Sequence, residues 1–141
     1  MTARTDARAA VGLDEAIGRA RAFADAGADA VFVEAPESES EMATVRAALP
    51  PGVRLVANMV EGGKTPLRPL RELAGAGYQI VVAPVGGLLA AAHALRDLYG
   101  TLSREGATTA MSRRIGFDEM NALLGLDAHR SREREWLARR A

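Results

Sequence analysis

The sequence has no cysteine, a single lysine, two histidines, no net charge and no long apolar run, and each shortage closes off a class of chemistry. Without cysteine there is no disulfide, no thiolate metal site and no cysteine nucleophile in these 141 residues. The 18 basic and 18 acidic residues balance, so no global basic field favours nucleic acid and no acidic excess marks a solvating tail. The apolar stretches are far too short to span a bilayer. The N-terminus shows no charged segment followed by an apolar run, so no signal peptide is expected and the expected location is cytoplasmic. His93 and His129 have no second histidine or carboxylate at ligand spacing, which favours structural or solvent roles over metal binding. Lys64 is the one lysine beside 17 arginines. Compositional bias explains that, or a lone lysine in a glycine loop has a task.

What is present is an ordinary globular composition, 48% apolar and 26% charged, arranged as alternating strand and helix signals. Thr2, Ala3 and Arg4 read as a short strand. Leu13, Ala16, Ile17, Ala20, Phe23 and Ala24 then repeat with helical period, and Gly27 stands where a helix-terminating glycine belongs. Ala30–Val33 is an unbroken apolar run, as in a strand buried on both faces. Ser38 and Glu41 have capping-box spacing ahead of Met42, Val45 and Leu49, and Pro50, Pro51 and Gly52 stop that helix. Val53–Ala57 is the next strand, a glycine loop over residues 61–66 leads to a helix with Leu70, Leu73 and Ala74, and Gln79–Ala83 is the fourth strand. A long helix follows with Leu88, Ala92, Leu95, Tyr99 and Leu102 on one stripe. Beyond Gly106 the alternation ends: Phe117, Met120 and Leu124 mark a helix that Asp118 is placed to cap, and residues 129–140 form an Arg- and Glu-rich terminal helix carrying Trp136. That helix reads as a docking element, because its interleaved glutamates weaken a nucleic-acid reading.

Apolar, non-alternating strands between helices specify a parallel sheet with covered faces. Strand ends near Arg4, Glu34, Asn58 and Pro84 are 30, 24 and 26 residues apart, the period of a βα unit. A doubly wound sheet and half of a (β/α)8 barrel both fit. In either, chemistry gathers at the C-terminal ends of the strands. Arg4, Glu34 and Asn58 stand there, and together they suit a substrate bearing a carboxylate. Arginine can fork onto the carboxylate, the asparagine amide can donate to an oxyanion, and the glutamate can orient a hydroxyl or a metal-bound water. Strands also end in polar residues simply on reaching water. Residues 58–65 imitate a phosphate-binding loop, but Asn58 stands where that loop needs glycine and Pro66 removes an amide donor, so nucleotide binding is not expected. Gly86 and Gly87 could offer amides to an anion at a helix start, or merely make a tight turn.

The segments 3–8, 12–17, 26–30, 33–36 and 57–66 resemble, in order, the second half of the phosphoenolpyruvate mutase/isocitrate lyase superfamily. Gly106–Thr109 and Phe117–Asn121 continue the likeness. Asn58–Pro66 is most similar to the carboxyphosphonoenolpyruvate mutase and dimethylmalate lyase/oxaloacetate hydrolase branches. The resemblance implies strands five to eight of a TIM barrel over residues 1–105, with a C-terminal helical extension over 106–141. It implies Arg4, Glu34 and Asn58 as catalytic and substrate-contacting residues, with Met59, Val60 and Gly86 beside them. It implies a lyase or mutase that makes or breaks C–C or P–C bonds next to a 2-oxo acid, through an enolate held on Mg2+. The substrate would be a small 2-oxo or 2-hydroxy dicarboxylate or a phosphonate. Leu89 stands where the methylisocitrate lyase branch has arginine, and a second arginine near Asp118 is also missing, which argues against a tricarboxylate. The family's metal ligands belong to the other half of the barrel, so none is expected here and the chain alone should be inert. A homo-oligomer, or a partner supplying the first half, is expected to cover the open sheet. The alternative is a non-catalytic pseudoenzyme or interaction module that keeps only the shell.

Overall fold

A computed structural model describes residues 1–111 and 113–140, so Ser112 and Ala141 of the expected extension lie outside the described residues. The chain groups into two compact units, Met1–His93 and Ala94–Ala141.

The first unit is built on four parallel strands, β1 (Thr2–Thr5), β2 (Ala30–Val33), β3 (Arg54–Asn58) and β4 (Ile80–Val82), in spatial order β1-β2-β3-β4. Each bound lies within one residue of the sequence expectation. No strand is inserted out of order, which distinguishes this sheet from a doubly wound one and matches consecutive strands of a barrel. The crossovers carry α1 (Ala7–Ala10) and α2 (Leu13–Asp25) after β1, α3 (Glu39–Ala47) after β2, and α4 (Leu70–Gly75) after β3. The four-residue α1 has no periodic signature and was not anticipated.

Local chemistry sets the helix ends. Behind α2, Gly27 adopts φ 88°, and its amide and that of Ala28 donate to the carbonyls of Ala24 and Phe23 at 3.0 Å each. Gly77 closes α4 in the same way, with φ 83°. This double bond pattern satisfies two otherwise orphaned helix carbonyls and requires a left-handed residue. At the start of α3, Ser38 Oγ accepts the Glu41 amide at 3.1 Å, as its capping-box spacing foretold. The reciprocal half differs. The Glu41 carboxylate accepts the Glu37 amide at 2.8 Å, and Arg8 holds the same carboxylate.

The core lies between the helices and the sheet, with Leu55, Leu73, Val31 and Val45 fully enclosed, beside Ile17, Met42 and Tyr78. Tyr78 is the last buried residue in the described chain. Its hydroxyl donates to the Met42 carbonyl at 3.1 Å, and burial pushes its phenol up to about 12.

Helix α5 (Gly86–Glu105) follows β4 and runs through the boundary of the two units at His93. In the second unit, α6 (Phe117–Leu123) and α7 (Leu126–Ala138) form a helical pair. Asp118 does not cap α6, contrary to the sequence expectation. The helix begins two residues earlier than a cap at Asp118 would set, Gly116 is the extended N-cap, and Asp118 sits in the first turn. There its charge still favours the helix dipole. Just beyond α7 the Arg140 guanidinium lies 3.9 Å from the Trp136 ring centre, and within the helix Arg132 contacts His129 at 3.1 Å. Among the described residues, no helix is long and apolar enough to cross a membrane.

Candidate functional site

Arg4, Glu34 and Asn58 come together at the C-terminal ends of β1, β2 and β3. Parallel register explains why. Arg4 pairs with Phe32 and Thr5 with Val33, while the Glu34 amide continues the ladder by donating to the Thr5 carbonyl at 3.0 Å. Asn58 pairs with Val82 at the far end of β3. Three neighbouring strands thus deliver three polar side chains to one edge of the sheet.

Arg4 Nη2 lies 3.3 Å from Glu34 Oε2, and its guanidinium packs 4.8 Å from the Phe32 ring centre. Asp6 grips the same guanidinium from outside, Oδ1 accepting from Nη2 at 2.7 Å and Oδ2 from Nε at 3.1 Å. Those bonds hold the Asp6 carboxyl below its usual range and raise Arg4 above its own, with the Asp6 hydrogen bond the first cause and Glu34 a further one. Arg4 is half exposed and Glu34 is 21% exposed, so the glutamate forms the sheltered floor and the arginine the open rim.

Asn58 Nδ2 donates towards both Glu34 oxygens at 3.3 and 3.4 Å. Its amide is thereby oriented, and Oδ1 is left buried without a partner. An unsatisfied buried acceptor costs about 1–3 kcal/mol. The sequence reading gives Asn58 the part of a donor to an oxyanion. The atom held ready is an acceptor, while the donors face Glu34.

The turn after β2 is strained. Ala35 has φ 57°, the one non-glycine residue with positive φ among those described. A left-handed alanine costs about 1–2 kcal/mol, and such strain concentrates at functional sites. It stands directly between Glu34 and Pro36.

The remaining expected residues line the neighbouring loops. Met59 is buried and its amide donates to the Val82 carbonyl at 2.8 Å. The Val60 carbonyl accepts the Gly63 amide at 2.9 Å, closing the glycine loop. Gly86 opens α5, and a methyl group there would fall 2.7 Å from Glu61 Oε1. A carboxylate of the chain itself therefore lies beside the helix start that the sequence offered to an external anion. A cavity of about 340 Å³ adjoins Arg4 and Asp6, lined also by Ala10, Val11, Arg19 and Phe23.

Two features escaped the sequence. Arg8 makes a two-pronged bond to Glu41 at 2.8 and 2.7 Å and a further contact to Glu37 at 3.1 Å. Lys64 reaches the other Glu37 oxygen at 3.3 Å. The acidic pair four residues apart, Glu37 and Glu41, was the available signal, masked by the capping box that shares it. Among the described residues no group of three or more His, Cys, Asp or Glu side chains could hold a metal ion. The residues present therefore do not fit a Mg2+ site.

Residues 1–102 match the family model described as phosphoenolpyruvate phosphomutase. The chain is 42% identical over 135 residues to a 2,3-dimethylmalate lyase of Eubacterium barkeri, covering 95% of this chain and 46% of the relative. It is 40% identical over 132 residues to the chloroplastic carboxyvinyl-carboxyphosphonate phosphorylmutase of Arabidopsis thaliana, covering 91% and 38%. Among solved structures, an oxaloacetate acetylhydrolase in complex with the product oxalate superposes with TM-score 0.85 at 30% identity, over 95% of this chain and 46% of that one. The chain thus spans less than half the length of each.

Proposed function

The chain belongs to the phosphoenolpyruvate phosphomutase family, and from that premise we propose that it carries the substrate-gripping half of a C–C lyase or P–C mutase active site. The observation that supports this most is the Arg4–Glu34–Asn58 chain with its orphaned Asn58 Oδ1. The favoured substrate is a small 2-oxo or 2-hydroxy dicarboxylate, or a phosphonate of similar size. Arg4 binds a substrate carboxylate, exchanging its exposed bond to Asp6 for a charge-assisted one. Asn58 Oδ1 accepts a hydrogen bond from the substrate, and Glu34 orients both neighbours. Leu89, at the start of α5, offers no charge to a third carboxylate.

Mg2+ belongs to the proposal only through the family, with its ligands on the half of the barrel that this chain does not span. Among the described residues, β1 and β4 each pair on one side only. A partner supplying the preceding strands, or another copy of the chain, is proposed to cover these edges, and a cytoplasmic setting goes with that reading.

The test is an assay with Mg2+ and oxaloacetate, 2,3-dimethylmalate or methylisocitrate, reading pyruvate or oxalate. We expect no turnover from the chain alone. Co-expression with the N-terminal half of a family relative should give turnover, and Arg4→Ala should abolish it by removing the two-pronged carboxylate contact. Turnover by the chain alone would overturn this division of labour. Turnover that survives Arg4→Ala would remove Arg4 from the site.

A further inference from the structure

The strand ends carrying Arg4, Glu34 and Asn58 are each followed by a segment whose charges converge on one side chain, Glu37. Arg8 comes from α1 behind β1, Glu37 lies three residues after Glu34, and Lys64 sits in the glycine loop behind β3. The two Glu37 oxygens are divided, Oε2 to Arg8 Nη2 at 3.1 Å and Oε1 to Lys64 Nζ at 3.3 Å. We propose that Glu37 is a positioning residue: by holding Arg8 with one oxygen and Lys64 with the other, it latches the loop after β3 and keeps the Glu34 carboxylate against the Asn58 amide. This role rests on the reading of those residues as the substrate site.

Three observations carry it. First, the link from Glu37 back to Glu34 is stiff, since Ala35 is confined to φ 57° and the ring of Pro36 fixes its own φ. A shift of Glu37 is therefore passed to Glu34 instead of being absorbed between them. Second, Glu37 is anchored on the α3 side independently of the loop. Its amide donates to Glu41 Oε2 at 2.8 Å, and Glu41 is itself clamped by the sheltered Arg8. The movable partner is Lys64, whose side chain is 62% exposed. Third, Lys64 is the only lysine in the chain, so no other lysine can take its place. The loop it closes begins directly after Asn58, through Met59 and Val60.

The latch can be read by nuclear magnetic resonance in the 15N-labelled chain paired with the unlabelled N-terminal half of a family relative, from the Asn58 side-chain amide signal and backbone exchange at residues 60–64. Lys64→Gln sits on the surface and leaves the core intact. It should speed exchange in that loop roughly two- to fivefold relative to β2, the range of an exposed ion pair, and shift the Asn58 amide. Glu37→Gln should do both as well, while Lys64→Arg should preserve both. Raising the wild type to about 1 M salt should imitate Lys64→Gln, because an exposed pair is screened. Wild-type exchange and an unmoved Asn58 signal in Lys64→Gln would overturn the proposal. So would a loosened loop with Asn58 unmoved, since the latch would then position nothing. Failure of the substrate reading would appear elsewhere, as turnover insensitive to Arg4→Ala in the complemented assay, and leaves these two signals untouched.

Discussion

Residues 1–78 and residues 79–140 carry comparable apolar patterning and bury it very differently. In the first stretch the apolar face of every helix longer than one turn meets the sheet, and Leu55, Leu73, Val31 and Val45 are sealed from water. In the second, no described residue is buried: Leu95 is 50% exposed, Tyr99 62% and Phe117 90%. The stripe on α5 has the period of a packed helix and no described residue on it is enclosed. Periodicity specifies which face of a helix seeks cover, and says nothing about what supplies it. The candidate site belongs to the covered stretch, at the ends of strands held by a finished core.

The largest expected effect sets the two stretches directly against each other. Leu55→Ala should cost about 2–5 kcal/mol in a urea melt, through lost transfer energy and a cavity. Leu95→Ala on the bare stripe should stay within about 0.5 kcal/mol when the melt is run dilute enough to keep the chain monomeric. Equal losses would break the comparison, because they would show that the stripe is covered in solution.

A smaller effect comes from the ion pair behind the site. Arg8 holds Glu41 below its ordinary 4.5, its hydrogen bond being the first cause and the Glu37 amide the second. A depressed carboxyl stabilises the fold above its unfolded value and loses that contribution as pH falls through the folded one. Stability should therefore decline in acid below about 4.5, and Glu41→Gln should flatten that decline while costing about 1–2 kcal/mol at neutral pH. An unchanged acid profile in Glu41→Gln would show that the pair contributes nothing.

Tyr78 sharpens the boundary of the covered stretch. Its phenol is raised from 10.0 to about 12 by burial, so its contribution is complete below 10 and is lost as pH climbs towards 12. Tyr78→Phe should remove that alkaline loss and cost about 1 kcal/mol, because the Met42 carbonyl loses its donor. Ultraviolet titration showing a phenol at 10 in this position would place Tyr78 in water.

The alternation of apolar runs and helical stripes made all four strands legible to within a residue, because two-sided burial leaves few other uses for runs such as Ala30–Val33. Arg4, Glu34 and Asn58 were legible for a related reason, as the polar residues that end those runs. What could not be read was set by tertiary contact. Strand order decided between two architectures of identical local pattern. The direction of the Asn58 amide depended on where Glu34 came to rest. Arg8, Glu37 and Lys64 are 27 to 29 residues apart, and no local rule pairs them. Asp118 went astray by less: an acid near a helix start suits either the cap or the first turn, and Gly116 took the cap.

The contrast between a finished core and a bare apolar face bears most directly on the state of the chain in solution. Size-exclusion chromatography with light scattering, run beside a denaturant melt, measures that state. The two one-sided strands and the open stripe should make the isolated chain self-associate well beyond 14.9 kDa, or aggregate, until a partner covers them. A monodisperse monomer of 14.9 kDa that unfolds in one cooperative transition would contradict this, since the chain would then have closed its own surface.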